Sequence, residues 1–212
     1  LNYNPDADIN NGSCEYITTT PYNIVTPHGF PDMIIPENNP MTIEGIELGR
    51  KLFHDPILSG DGTQSCASCH LQSANFSDTN QFSTGINGSH GDRNASTIIN
   101  SGWNNSNFWD GRAITLEDQA FGPVVNPIEM NDTWSNVENK LNYDSEYVNL
   151  FKQAFNIDYI DSTHVVMAIA QFERSLVSAN SKFDKFYRGE VTMTASELNG
   201  YAIFNSEKGD CF

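Results

Sequence analysis

The run Cys66-Ala-Ser-Cys69-His70 limits what this chain can fold into more than any other stretch. Two thiols three positions apart, followed at once by an imidazole, are the attachment signature of a c-type haem. Each thiol forms a thioether to one edge of the macrocycle, and the imidazole is held against the iron as proximal ligand. Other readings of these residues need company that the chain lacks. A zinc site wants a second Cys/His pair at ligand spacing, and no other cysteine lies within about fifty residues. A thioredoxin-like thiol pair wants a βαβ setting, and no such pattern surrounds it.

The chain has 212 residues, enough for a sizeable core, and its 13 Phe, 8 Tyr and 3 Trp mark a globular protein. A net charge of -16, from 27 acidic against 11 basic residues, argues against nucleic acid and anionic membranes as partners. It favours partners with a basic docking face, although solubility in a secreted compartment explains it equally well. No stretch approaches the ~20 apolar residues of a membrane span. The chain begins at Leu1 rather than Met, so it reads as a mature product whose signal peptide has been removed. Haem is joined to CxxCH outside the bacterial cytoplasm, which makes the periplasm the expected location. Cys14 and Cys211 have no obvious partners, and a disulfide between them stays open.

Residues 1–40, rich in Asn, Pro and Asp, read as an irregular N-terminal extension, with His28 a loop residue. Thr42 then caps a helix carrying Ile43, Ile46, Leu48, Leu52 and Phe53, which must end before Pro56. His54 reads as a helix-end residue. The stretch 71–112 is Gly/Asn/Ser-rich but holds Phe76, Phe82, Trp103, Phe108 and Trp109, so it reads as a functional loop wrapping the haem. Capping boxes at Thr115–Asp118, Ser135–Glu138 and Thr194–Glu197 mark three helix starts. Tyr147, Leu150, Phe151, Ala154 and Phe155 share one helical face, as do Val165, Ile169, Phe172 and Leu176. His164 reads as structural. No alternating strand appears, so the expectation is an all-α fold. Gly49-Arg-Lys-Leu52-Phe53 precedes the first haem cysteine, and Gly200-Tyr-Ala-Ile203-Phe204 precedes Cys211 in the same form. A second cytochrome unit is therefore expected to start near the end of the chain.

These pieces together resemble the bacterial dihaem cytochrome c peroxidases, the family that includes MauG. The similarity runs from about Thr42 to Phe212 on Leu48–Pro56, the haem motif, Arg93-Asn94, Phe108-Trp-Asp-Gly-Arg112, Leu116–Gln119 and Asn126-Pro-Ile-Glu-Met130. The resemblance implies a cytochrome c-like haem domain with long irregular loops over 41–180. It implies a linker and the beginning of a second cytochrome c domain over 181–212, truncated there. One haem c would sit on Cys66 and Cys69 with His70 as iron ligand, and Cys211 would begin the motif for a second haem in the full-length protein. Phe108, Gln119 and Glu129 would line the distal pocket, Trp109 would lie between the haems, and Asn94 would help to hold a calcium ion. The implied activity is reduction of hydrogen peroxide to water with electrons from a small cytochrome or cupredoxin, in a protein that can be a homodimer.

Splitting the O–O bond asks for a positioned acid/base, which Glu129 can supply, while Gln119 can orient peroxide without competing for the proton. One departure matters. Many members carry a histidine that caps the resting iron in the loop before Arg93-Asn94, where this chain places Ile86. The first haem is thus expected to rest five-coordinate or water-bound, with His90 four residues on as the competing ligand. Two alternatives stand beside the peroxidase: MauG-type oxidation of a protein residue, and plain electron transfer.

Overall fold

The computed structural model describes residues 18–211, so the expectations for Cys14 and Phe212 lie outside the described residues. Among the described residues there are helices and short 3-10 turns, with four isolated β-bridges and no strand. The helical expectation therefore holds. The chain divides into two compact units, one formed by Ile34–Leu176 with the segment before Val25, the other by Val25–Met33 with the residues from Val177 onward.

In the first unit, helix α1 (Ile43–His54) begins at Thr42, whose hydroxyl accepts the Gly45 N–H, and it stops at Asp55 ahead of Pro56. The haem motif forms one turn, α2 (Cys66–Cys69). After the long loop come α3 (Leu116–Val125), α4 (Trp134–Tyr143), α5 (Ser145–Phe155) and α6 (Ser162–Ser175). The predicted caps at Thr42 and Thr115 are present; the one at Ser135 is not. Thr133 caps α4 instead, accepting from Asn136 N. The preceding Asp132 is held by Lys140 at 2.7 Å and by the Asn136 amide, so the helix starts two residues early and Trp134 is free to meet Phe121 edge-on.

The apolar stripes pack as their spacing predicts. Leu48 and Leu52 of α1, Tyr147 and Phe151 of α5 and Val165 and Ile169 of α6 share one buried cluster. Alpha-helices α1 and α6 cross closely because α1 presents glycine at the contact. A Cβ on Gly49 would stand 1.9 Å from the Ala168 carbonyl oxygen, and one on Gly45 would stand 2.2 Å from Gln171 Oε1. Buried polar groups close the same junction. Gln171 accepts from Thr42 N and donates to Asn39, Asn39 donates to Glu117 of α3, and Glu117 takes the Arg174 guanidinium through two bonds of 2.7 and 2.8 Å. Burial pulls the Glu117 carboxyl upward, but the Arg174 bonds and charge outweigh it and hold the group below the usual carboxylate range.

The second unit contains α7 (Lys182–Tyr187) and α8 (Ala195–Phe204). The predicted cap at Thr194 is present, and Ser181 caps α7 in the same way. His28 meets Tyr187 at a tilt, with 5.6 Å between ring centroids. The two glycines of the G-x-x-[LI]-F repeat differ sharply in surroundings, because nothing approaches a Cβ on Gly200. Gly49→Ala is therefore expected to lower stability by about 1–3 kcal/mol through overpacking. Gly200→Ala is expected to leave stability level or raise it by up to about 1 kcal/mol, since alanine is the better helix former. Urea unfolding of the two variants checks the contrast.

Candidate haem site

The turn at 66–69 leads directly into His70, whose Nδ1 lies 3.2 Å from the Phe76 carbonyl oxygen. A carbonyl only accepts, so Nδ1 carries the proton and the neutral ring keeps its lone pair on Nε2, as an iron ligand requires. Burial lowers the His70 pKa, against hydrogen bonds to Phe76 and Ser96, and so favours that neutral ring. Placing the carbonyl requires an unusual backbone: Asn75 and Phe76 are both left-handed, at φ 57° and 55°. A phenylalanine in that region is strained. The loop holds it through Phe76 N to Leu71 O at 2.8 Å, Leu71 N to Ser77 O at 2.9 Å, and ring contact with Phe53.

His70, Cys69, Asn94, Phe108, Trp109, Gln119 and Glu129 all line one cavity of about 450 Å³. An adjoining arm of about 60 Å³ carries the same lining on to Cys66. Cys69, His70, Phe108, Gln119 and Glu129, expected at the first haem from widely separated motifs, thus line a single space together with Trp109, expected between the haems, and Asn94, expected at a calcium ion. Cys211 belongs to the second unit, is exposed, and donates through Sγ to the Gly209 carbonyl.

Gln119 and Glu129 are set by α3 and the turn that ends it. Pro123 stands inside α3 and supplies no N–H to the carbonyl of Gln119 four residues earlier. After α3, Asn126 accepts from Ile128 N, donates its amide to Glu129 Oε1 at 2.7 Å, and accepts from Glu129 N through its carbonyl. The Glu129 carbonyl in turn accepts the Ile86 N–H at 2.9 Å. A Cβ on Gly85 would meet the Ile128 oxygen at 1.8 Å, so the loop before Arg93 lies flat on this turn. Burial pushes the Glu129 carboxyl above the ordinary range, with Asn126 and the Arg112 charge pulling it back.

Phe108 is left-handed at φ 64°, sandwiched between the Arg112 guanidinium 3.5 Å above its ring and Gly122 of α3. Trp109 is 65% exposed and donates from Nε1 to the Asn94 carbonyl at 2.8 Å, while the Asn94 amide donates to Asn80 O. Among the described residues no group of three or more His, Cys, Asp or Glu is arranged to hold a metal ion. His90 is exposed, with Nδ1 3.4 Å from Thr84 Oγ1. His54 is also exposed, while the His164 ring is tied to Asp161, the N-cap of α6.

The residues present fit a covalently held haem c. Burial raises the Cys66 and Cys69 thiols. Arg93 and Arg112, bridged by Asp110, line the cavity, as does the buried Ser101 hydroxyl, which has no partner among the described residues. Guanidiniums and an unpaired donor suit a flat apolar group that carries carboxylates. Arg93, Arg112 and Glu173 of α6 are charged lining residues to which the sequence assigned no site role. Glu173 had a visible signal, a charge set one turn after Ile169 on an otherwise apolar face.

Helical fold, thiol pair and oriented imidazole define a c-type cytochrome domain. The chain belongs to the di-haem cytochrome c peroxidase family, whose profile matches residues 43–192. It is 41% identical over 180 residues to the cytochrome c peroxidase Ccp of Escherichia coli (strain K12), covering 82% of this chain and 38% of that protein. It is 37% identical over 184 residues to the methylamine utilization protein MauG of Methylophilus methylotrophus, covering 85% and 55%. A crystal structure of a MauG-like protein associated with microbial copper homeostasis superposes with a TM-score of 0.83 at 35% identity, over 90% of this chain and 57% of that one. The chain thus spans between about a third and just over a half of these relatives. No helix among the described residues is long and apolar enough to cross a membrane.

Glu129 also bears on stability. Its folded carboxyl lies above the unfolded value, so ionising it disfavours the fold at every pH above the unfolded pKa of about 4.3. Glu129→Gln keeps an oxygen for the Asn126 amide and is expected to be more stable than the wild type at pH 7. That gain should vanish as pH falls below about 4, where both states are protonated; thermal unfolding across pH measures it.

Proposed function

We propose that this chain forms the peroxide-reacting part of a cytochrome c peroxidase, which reduces hydrogen peroxide to two waters with two electrons and two protons. The observation that carries this reading is the convergence of Glu129 and Gln119 with His70 on one cavity. Haem c, attached at Cys66 and Cys69 with His70 Nε2 on the iron, supplies the redox centre at which the O–O bond is split.

Glu129 takes the proton from one peroxide oxygen and delivers it to the other, which then departs as water. Burial raises its proton affinity, which favours the uptake half of that transfer. Gln119 hydrogen-bonds the peroxide, and Phe108 closes the wall beside it and excludes water. Trp109 provides the aromatic route by which electrons enter, from a second haem whose attachment begins at Cys211 in the longer protein. Electrons reach that haem from a small cytochrome or cupredoxin in the bacterial periplasm, and a calcium ion near Asn94 together with pairing into a homodimer completes the assembly. The domain boundaries follow: the peroxidatic domain over 41–180, then the linker and start of the second domain over 181–212.

Resting coordination follows from the loop before Arg93. Ile86 is buried, its N–H is engaged by Glu129, and its side chain cannot ligate iron, while His90 lies exposed. Neither Ile86 nor His90 would thus supply a second ligand to a bound haem, and the protein would need no reductive activation. This absence, with the 37% identity to MauG, favours oxidation of a residue on a partner protein as the second reading. A covalently altered partner after peroxide treatment separates the two.

In the protein carrying both haems, Glu129→Gln is expected to keep its haem and lose peroxide turnover by about 100-fold or more. Unchanged turnover removes Glu129 from the mechanism. The oxidised wild type is expected to show a high-spin spectrum that responds to peroxide. A low-spin, six-coordinate spectrum indifferent to peroxide would reduce the protein to an electron carrier.

A further inference from the structure

Helix α6 is apolar where it faces the core: Val165, Val166, Ile169 and Phe172 are all buried. Glu173 continues that face and is only 5% exposed, yet it bears a carboxyl that lines both the haem cavity and its narrow arm. The carboxyl has no hydrogen-bond partner among the described residues. The adjacent Arg174 has turned its guanidinium to Glu117, so the nearest cation is already neutralised by another carboxylate. The charged and titratable groups around Glu173 are Arg174 on its own helix, Glu117 from α3 and Cys66 from α2, and Cys69, His70 and Glu129 line the same narrow arm.

An ionised carboxyl buried without a partner is unfavourable by several kcal/mol. Burial pushes Glu173 up to about 8, with Arg174 resisting and Glu117 adding to the rise. The group is thus poised between its two forms close to neutral pH. Among the described residues nothing in the packing of the first unit uses it, since Glu117 and Arg174 satisfy each other. Its one open direction is the cavity, and the event there that changes local charge is the arrival of an electron.

We propose that Glu173 is a redox-linked proton site, which takes up one proton from solvent as one electron enters the haem of this cavity and releases it when that electron leaves. The balance is simple. One electron from a one-electron donor converts ferric to ferrous iron, one proton converts the Glu173 carboxylate to the acid, and no other bond changes. The physical cause is repulsion: an added negative charge in a low-dielectric cavity disfavours a neighbouring carboxylate and raises its proton affinity. Glu173 would thereby keep the cavity's net charge constant through each electron transfer, and would hold a proton inside the site where peroxide reduction consumes two. The inference rests on the haem reading of the cavity.

The test is spectroelectrochemical titration of the haem-loaded protein from about pH 5 to about pH 9. The midpoint potential of this haem is expected to fall as pH rises, approaching a tenfold change in the reduction equilibrium per pH unit, or 59 mV. Glu173→Asp should keep that slope, and Glu173→Gln should at least halve it and raise the potential at the alkaline end. Retention of the wild-type slope in Glu173→Gln overturns the proposal. Should Glu173→Gln fail to keep its haem, the reduced-minus-oxidised infrared spectrum of the wild type decides. A protonated-carboxyl band that grows on reduction, shifts in D2O, persists in Glu129→Gln and moves in Glu173→Asp supports the assignment; its absence overturns it. Intact mass distinguishes the two failures, because a wild type without haem sinks the haem reading itself, whereas a haem-loaded protein without the coupling sinks only the role of Glu173.

Discussion

The close crossing of α1 and α6 is the junction on which the rest of the first unit depends. Gly45 and Gly49, one turn apart on α1, remove the side chains that would otherwise hold α6 away. That approach brings Gln171 to Thr42 and Asn39, and through them connects Glu117 and Arg174, so α3 is fastened to the same joint. Each member of this buried network has its partner, the condition under which buried polar groups specify one arrangement instead of loosening the core. The helices that carry the site inherit their positions from it. Glu117 lies two residues before Gln119 on α3, Glu173 precedes Arg174 on α6, and α1 delivers the chain towards Cys66.

The cavity shows the opposite character. Its wall contains a left-handed Phe108, a Ser101 hydroxyl with no partner among the described residues, and the half-buried Glu129, and a left-handed Phe76 stands behind His70. Each of these disfavours the folded state by itself, and Phe76, Glu129 and Phe108 are held by well-made structure beside them: the 71–77 loop, the Asn126 turn and the Arg112 stack. Strain and unsatisfied polarity gathered on one surface, with a satisfied network a few residues away, is the pattern expected where chemistry sets the geometry.

Several elements were legible in the residues because their causes are local. Thr42, Thr115 and Thr194 cap helices through hydrogen bonds three positions along the chain, and Pro56 ends α1 by clashing with the residue before it. Ser135 misled for a reason equally physical. Its Ser-x-x-Glu spacing is sound, but Lys140 anchors Asp132 from about two turns further on and draws the helix start back to Thr133. Glu129 and Gln119 were found only because their motifs resemble a family, since nothing local distinguishes a cavity carboxyl from a solvated one. Arg112 was present in a quoted motif, yet its stacking on Phe108 depends on a left-handed turn that no propensity announces.

By itself the amino-acid order determined the cofactor class, the helical architecture and most element ends. Thioether attachment, capping and apolar periodicity are all matters of spacing along one chain. Tertiary structure decided which ring nitrogen of His70 is left with its lone pair free, that Ile86 is pinned to Glu129 while His90 stays outside, and that Glu173 faces the cavity with no hydrogen-bond partner among the described residues. Those outcomes rest on distances between residues far apart in sequence and on the water excluded between them. Only the packed chain specifies these.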